Sequence, residues 1–334
     1  MRAIVMNGFG GPEVLSWGEA PEPALGPGDV LIEVAATALN RADAVQRAGA
    51  YPPPPGASEL LGLECSGRIV EVSDEVAERG DWNVGDEVCA LLAGGGYAER
   101  VVVPAEQLLP VPTGFSLIEA ASLPEAACTV WSTLCMPAPL EPGQTVLIHG
   151  GASGIGTFAI QLARAMGCGV AVTAGSDERL ETCRELGADH LINYRDADFV
   201  EAVRAATDGR GADVVLDIVG ADYLTRNVRA LAVDGRVCVI GFQSGSRGEL
   251  DLAAMLQRRA TIRVTKLRDR PVTGPQSKQE IISAVRARVW PLIAEGSIRP
   301  AVATVAPITE AAEYHARSDA GSLPAGKVVF RVNG

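Results

Sequence analysis

The chain has 334 residues, 47% hydrophobic and 21% charged, which is long enough for two domains and ordinary for globular protein. Its 29 basic and 41 acidic residues give a formal charge of −12, which argues against nucleic-acid or anionic-membrane binding, since both need basic surface. No stretch approaches the roughly 18 apolar residues of a membrane span, and MRAIVMNGFGGPEVL carries no signal-peptide pattern, so a cytoplasmic protein is expected.

In chain order, short strands are predicted at Ala3 to Met6, Asp29 to Ala36, Ser66 to Val72, Gly85 to Leu91 and Tyr97 to Val103, with Gly and Pro between them. That pattern predicts a compact, barrel-like β domain. Asn40 to Gly49 has helical spacing. Tyr51-Pro52-Pro53-Pro54-Pro55-Gly56 must then be an extended loop. Ser116 to Pro137 reads as a helical connector carrying Pro124. Beyond Pro139 strands and helices alternate: strands at Val146 to Ile148, Val170 to Ala174, His190 to Asn193, Asp213 to Val219 and Arg236 to Ile240, and helices at Glu178 to Leu186, Phe199 to Ala206 and Ala221 to Leu231. Strands apolar along their whole length belong to a parallel sheet covered on both faces. After about Lys266 come a long helix over Gln279 to Glu295, a shorter one over Glu310 to Arg317 and a closing strand over Lys327 to Val332. The expected division is 1–118 with 266–334, around an inserted 119–265.

Thr145 to Met166, TVLIHGGASGIGTFAIQLARAM, organises this arrangement. An apolar strand runs into Gly150-Gly151-Ala152-Ser153-Gly154-Ile155-Gly156, and Phe158, Ile160, Leu162 and Met166 follow at helical spacing. A helix N-terminus presents N–H groups and partial positive charge, so a pyrophosphate fits over Gly151, Ser153, Gly154, Ile155 and Gly156.

The second strand of a dinucleotide fold commonly ends in a carboxylate that bonds the adenosine ribose. Here Ala174 stands in that place, followed by Gly175, Ser176 and Arg179. Without that carboxylate a 2′-phosphate meets no repulsion, Ser176 donates to it and Arg179 supplies charge. The preference is therefore for NADPH over NADH, with Asp177 and Glu178 working against it. Tyr194 follows the third strand and is placed near the same phosphate.

These motifs carry a resemblance. Ala38-Leu39-Asn40-Arg41-Ala42-Asp43, Gly49-Ala50-Tyr51-Pro52-Pro53-Pro54, Leu61-Gly62-Leu63-Glu64, Gly85-Asp86-x-Val88, His149 to Gly156, Thr173 to Ser176, Asn193-Tyr194 and Gly326-Lys327 resemble the medium-chain dehydrogenase/reductases. The likeness is to zinc-free quinone oxidoreductases related to zeta-crystallin, nearest the tumour-suppressor-induced branch. It implies an α/β protein with a GroES-like β-rich catalytic domain made of both chain ends. A Rossmann domain, a doubly wound parallel sheet, is inserted between them, with the active site in the cleft. It also implies a homodimer or homotetramer.

Zinc alcohol dehydrogenases carry Cys where Asn40 stands and Gly-His-Glu where Gly62-Leu63-Glu64 stands. Asn40 and Leu63 are poor zinc ligands, the cysteine-rich structural lobe is absent, and the seven cysteines include no C-x-x-C, so no metal is expected. Without a Lewis acid the expected reaction is an easy hydride transfer from NADPH to a quinone or activated enone. Asn40 and Tyr51 are the expected donors to the developing oxyanion, Asn40 alternatively contacting the nicotinamide ribose. Asp43 and Glu64 are read as structural.

The resemblance places Thr129 near the nicotinamide. Gly220 and Gly241 follow parallel strands, where ligands bind in such sheets, and Phe242 is placed to close over the ring. Lys327 is expected to reach the cofactor phosphates or to cap the last strand. Arg268 is expected at the surface, with attraction of an acidic or phosphorylated acceptor as the alternative. His149, His190 and His315 are read as structural.

The competing readings are an enoyl reductase for enoyl-CoA esters or enones, and a non-enzymatic NADPH-binding redox sensor or crystallin-like protein. A short-chain dehydrogenase is set aside because no Tyr-x-x-x-Lys occurs.

Overall fold

The computed structural model describes residues 1–136 and 138–333. Pro137, the expected end of the connector, and Gly334 lie outside the described residues. The chain packs as two units. One is built from Met1–Cys128, Leu267–Glu295 and the chain from Pro300 onward; the other is built from Thr129–Lys266 with Gly296–Arg299. The expected boundary at 118/119 falls inside the first unit.

In the first unit Asp29–Ala38 is the central strand. Val30, Ile32, Val34 and Ala36 are buried at the two-residue period, so one face of the strand enters the core. It pairs antiparallel with Glu64–Val72, Arg100–Pro104 and the C-terminal strand Lys327–Arg331. Lys327–Arg331 in turn pairs parallel with Val302–Pro307, and Glu87–Leu91 and Leu108–Pro110 complete the seven-stranded sheet. Residues early and late in the chain thus share one sheet, with Val30, Ile32, Val34, Ile69, Val88, Val101 and Val103 in its core. The predicted strand at Tyr97 begins only at Arg100. Tyr97 itself is fully buried in a second core with Phe330, Tyr314 and Leu61.

The helix predicted over Gln279 to Glu295 is two helices, Lys278–Arg288 and Trp290–Ala294. Pro291 explains the break, because it offers no N–H and its ring collides with the preceding turn. Trp290 Nε1 then donates to Pro110 O at 2.8 Å, tying the second helix to the sheet.

In the second unit six strands form one parallel sheet. They are β1 (Thr145–His149), β2 (Gly169–Ala174), β3 (His190–Asn193), β4 (Ala212–Asp217), β5 (Leu231–Val239) and β6 (Thr261–Val264). Their order across the sheet is 3-2-1-4-5-6. The chain winds outward from β1 in one direction and then from β4 in the other, so a crevice opens at the carboxyl ends of these two strands. All five residues of β1 are buried, as a doubly covered strand requires. β4 stops two residues before its predicted end. The buried Asp217 carboxylate accepts the N–H groups of Val219 (2.7 Å) and Gly220 (3.2 Å) and turns the chain away. Among the described residues no helix is long and apolar enough to cross a membrane.

Candidate active site

The glycine turn after β1 is tight. Gly150 has φ +68°, and the Gly154–Ala165 helix begins with Ser153 as its cap, the Oγ accepting from Gly156 N at 3.0 Å. A Cβ on Gly156 would lie 2.3 Å from Gly150 O, and one on Gly151 2.8 Å from Val172 Cβ. The turn thus lets backbone pack on backbone. Gly154 and Ile155 are the first helical residues, whose N–H groups have no partner within a helix. Across the switch point, Gly220 has φ +85°, and a Cβ there would stand 2.8 Å from Gly245 O. A Cβ on Gly241 would meet Ile218 O at 2.9 Å. Both glycines are therefore required by close backbone approach. Phe242 beside them is exposed and Thr129 is half-buried.

At the end of β2, Ser176 caps the Asp177–Glu185 helix, its Oγ accepting from Arg179 N at 3.4 Å. Gly175 adjoins Tyr194: a Cβ there would stand 2.6 Å from the Tyr194 hydroxyl. Gly175, Ser176, Arg179 and Tyr194 thus share one corner of the second unit. Under it His149 is buried, with Nδ1 3.0 Å from Thr173 Oγ1 and Nε2 2.8 Å from Asn227 Oδ1. Burial pulls it down to about 4, so it stands neutral.

In the first unit a polar group is buried where Asp29–Ala38 meets Glu64–Val72 and Lys327–Arg331. Glu64 is fully buried and Lys327 and Asn40 nearly so. Lys327 Nζ donates to Glu64 Oε1 and to Asn40 Oδ1, the latter at 2.6 Å. Asn40 Nδ2 donates to Glu64 Oε1 (2.9 Å) and to Ala38 O (3.2 Å), and Glu64 Oε2 accepts from Glu125 N (2.9 Å). Both N–H groups of the Asn40 amide are therefore engaged, and the Lys327 ammonium is held by Glu64 and Asn40.

Asn40 also caps the Arg41–Arg47 helix, its N–H donating to Asp43 Oδ2 at 2.8 Å. Asp43 accepts from Gly62 N at 3.0 Å as well, and Tyr97 Oη lies 3.4 Å from both Asp43 and His315 Nε2. Burial pushes Asp43 up to about 6, against the pull of those N–H groups and of Lys327. Arg47 Nη1 approaches His315 Nδ1 at 3.1 Å. An arginine can only donate, so the His315 proton sits on Nε2 and faces Tyr97. Asp43, Gly62 and His315 were read from sequence as motif or structural residues, but no motif announced that Tyr97 and Arg47 join them.

The Tyr51 loop is fastened by Arg268. Its Nη1 donates to Tyr51 O at 3.2 Å, its Nε donates to Ala93 O at 2.7 Å, and the guanidinium lies 5.3 Å from the Tyr51 ring centroid. Arg268 is 4% exposed, which corrects the expectation of a surface residue. Burial holds the Tyr51 hydroxyl well above its usual range, Glu125 and Asp269 add to this, and Arg268 opposes it. Lys278, also 4% exposed, is a residue that sequence reasoning missed. Its signal was there: Ser277-Lys278-Gln279-Glu280 puts a cation on the first turn of a helix, the end whose dipole repels it.

Among the described residues no group of three or more His, Cys, Asp and Glu is placed to hold a metal. An amide and a carboxylate already bonded to an ammonium do not fit zinc, which takes thiolate, imidazole and free carboxylate.

Residues 154–283 match the family model of zinc-binding dehydrogenases and residues 26–113 that of the alcohol dehydrogenase GroES-like domain. The chain is 32% identical to the 2-haloacrylate reductase of a Burkholderia species, over 94% of each chain. At 31% identity, 91% of it matches a stretch forming 13% of a phenolphthiocerol/phthiocerol polyketide synthase of Mycobacterium tuberculosis. Among solved structures it is similar to a mycobacterial protein complexed with NADPH, with a TM-score of 0.90 and 30% identity, covering 99% of this chain and 100% of that one. It is likewise similar to Escherichia coli quinone oxidoreductase complexed with NADPH, with a TM-score of 0.87, 26% identity and the same coverage. The chain therefore belongs to the medium-chain dehydrogenase/reductase superfamily.

Proposed function

We propose that this protein is an NADPH-dependent, zinc-independent reductase that delivers hydride to a quinone or an activated enone. The observation that carries the reading is the buried Lys327 ammonium held by Glu64 and Asn40, with Asn40 standing where the zinc alcohol dehydrogenases carry Cys. A reaction run there has no metal to polarise a simple ketone, so the acceptor must be reactive by itself. NADPH-bound solved relatives and the named activities of 2-haloacrylate reductase and quinone oxidoreductase support the same reading.

NADPH supplies the hydride from nicotinamide C4. The N–H groups of Gly151, Ser153, Gly154, Ile155 and Gly156 hold its pyrophosphate, and the glycines keep side chains out of the way. Ser176 and Arg179 take the 2′-phosphate, with Tyr194 beside them. Gly220, Gly241, Phe242 and Thr129 line the path of the nicotinamide half. Tyr51 donates its hydroxyl to the oxygen that gains charge, and its raised pKa keeps the proton on it at every working pH. Asn40 is held by Glu64 and Lys327, so it orients the site, and it becomes a donor only if one of its bonds is released. Lys327 acts through Asn40.

The proposal extends to assembly and place. β6 is an edge strand, and Leu252, Leu256 and Val264 near it are exposed, as a homodimer seam would leave them in one protomer. Cytoplasmic residence fits seven free, buried cysteines. A second reading, reduction of enoyl thioesters, is favoured by the polyketide-synthase match.

The test is NADPH oxidation with 1,2-naphthoquinone and with crotonyl-CoA. Quinone turnover that falls at least about 10-fold in Tyr51→Phe, with NADPH affinity kept, is the expected result. Turnover of crotonyl-CoA alone would transfer the protein to the second reading, and turnover of neither would leave a cofactor-binding protein.

A further inference from the structure

We propose that His149 is a positioning residue for the coenzyme: with Thr173 and Asn227 it holds the two glycine turns at the crevice in the form that receives NADPH. The inference rests on the reading of those turns as the coenzyme site. It concerns three buried side chains, which act on the coenzyme through the backbone.

His149 ends β1 and Thr173 lies opposite it on β2, so both side chains leave the same face of the sheet. His149 Nε2 is 2.8 Å from Asn227 Oδ1, which can only accept, so the ring proton sits on Nε2. Nδ1 is then an acceptor, and Thr173 Oγ1, 3.0 Å away, donates its one proton to it. The hydroxyl oxygen keeps its lone pairs for Gly150 N, which donates to it at 3.4 Å. The bonds thus run in one direction, from Gly150 through Thr173 and His149 to Asn227. Phe199 and Tyr223 meet the ring edge to face, with centroids 4.8 and 4.9 Å away. Burial keeps the ring uncharged, and the Arg226 charge acts in the same sense.

Both ends of this chain lie at the crevice turns. Gly150 opens the turn after β1 with φ +68°, one of several conformations open to a glycine. Asn227 sits on the Leu224–Ala230 helix, which follows the Gly220 turn through Ala221–Tyr223. The turns also approach each other: a Cβ on Gly150 would stand 2.5 Å from Ile218 Cδ1. A turn holding Gly150, Gly151, Gly154 and Gly156 loses much backbone freedom on taking a ligand unless its shape is set beforehand. An apolar residue at 149 would fill the space without needing two partners. His149 instead bonds the support of one turn through Nδ1 and the support of the other through Nε2, and so sets the shape before NADPH arrives.

The test is the Kd for NADPH, read by fluorescence titration near neutral pH on full-length variants whose urea transitions show them folded. Thr173→Val keeps the shape and removes the hydroxyl that Gly150 and His149 share, so NADPH is expected to bind about 10-fold or more weakly. Thr173→Ser keeps the hydroxyl and is expected to bind within about 2-fold of the unmodified protein. A Thr173→Ser variant as weak as Thr173→Val would overturn the role, because the hydroxyl would not be what matters. A Kd raised in Gly156→Ala but not in Thr173→Val would also overturn the role and keep the coenzyme at the turn. A Kd raised in neither would overturn the placing of the coenzyme itself. Ring nitrogen resonances of histidine-labelled protein need no Thr173 variant, the His149 signal being identified by its loss in His149→Gln. A neutral ring protonated at Nε2, with shifts that move when NADPH binds, is expected. A ring protonated at Nδ1, or one indifferent to NADPH, would overturn the role.

Discussion

Lys327 and Glu64 neutralise each other in a place where neither survives alone. Removing one partner of a buried pair leaves a charge with no water and no counter-ion, at a cost of about 3–5 kcal/mol. Lys327→Met is therefore expected to lower unfolding stability by about that much, and Glu64→Gln added to it to recover a good part, as read from urea midpoints. Equal loss in the single and double variants would mean that the two do not act as a pair. Local motifs brought Asn40 and Lys327 forward as candidate site residues and Glu64 as a structural carboxylate, with Lys327 directed to the cofactor phosphates or to capping the last strand, and they did not join the three. The reason is distance along the chain: Lys327 meets its partners 287 and 263 residues away. Arg268 was misread for a related reason. Charged residues are mostly exposed, and only the approach of Ala93 and Tyr51, 175 and 217 residues away, buries this one.

The strand, turn and helix around Gly150 to Gly156 were legible from sequence because their signals are local. An apolar run, a glycine cluster and a helical repeat follow one another. Gly156→Ala would place a methyl 2.3 Å from Gly150 O and 2.5 Å from Gly151 O, so the turn must open. NADPH binding, followed by fluorescence titration, is expected to weaken by about 10-fold or more, equivalent to about 1.4 kcal/mol. An unchanged Kd would remove the turn from the cofactor site. β1, β2 and β4 were legible for the same reason, since strands covered on both faces are apolar throughout. Val302–Pro307 and Leu108–Pro110 were not. The first is mostly half-buried with no alternation, and the second is three residues long. Such strands exist because a neighbour offers an edge, which no local pattern records.

At the scale of the whole molecule, buried titratable groups of opposite tendency set the acid response. His149 and His315 are pulled down by burial to about 4 and about 3. Their neutral forms favour the folded state above about pH 6.5, and that stability drains away as pH falls toward the folded values, because only the unfolded chain takes the protons. Asp43 and Asp217, pushed up to about 6 by burial, act in the other sense: the folded state binds their protons first and gains as pH falls from 6 toward 4. The two effects offset each other, so the histidine contribution is visible only in a variant. His149→Gln should make the stability lost between pH 7 and pH 5 smaller than in the unmodified protein, by about 2 kcal/mol. Parallel acid limbs would mean that His149 is protonated in the fold. Assembly belongs to this scale as well. Leu252 and Leu256 are one helical turn apart and 72% and 79% exposed, on the helix that packs against β5 and leads into β6. An apolar pair next to an open strand edge invites aggregation unless a second copy covers it. Leu256→Glu places a charge in the proposed homodimer seam, so on that proposal sedimentation should move from dimer to monomer while NADPH binding is kept. A monomeric unmodified protein would overturn the dimer itself, and a Leu256→Glu variant that stays dimeric would place the seam elsewhere.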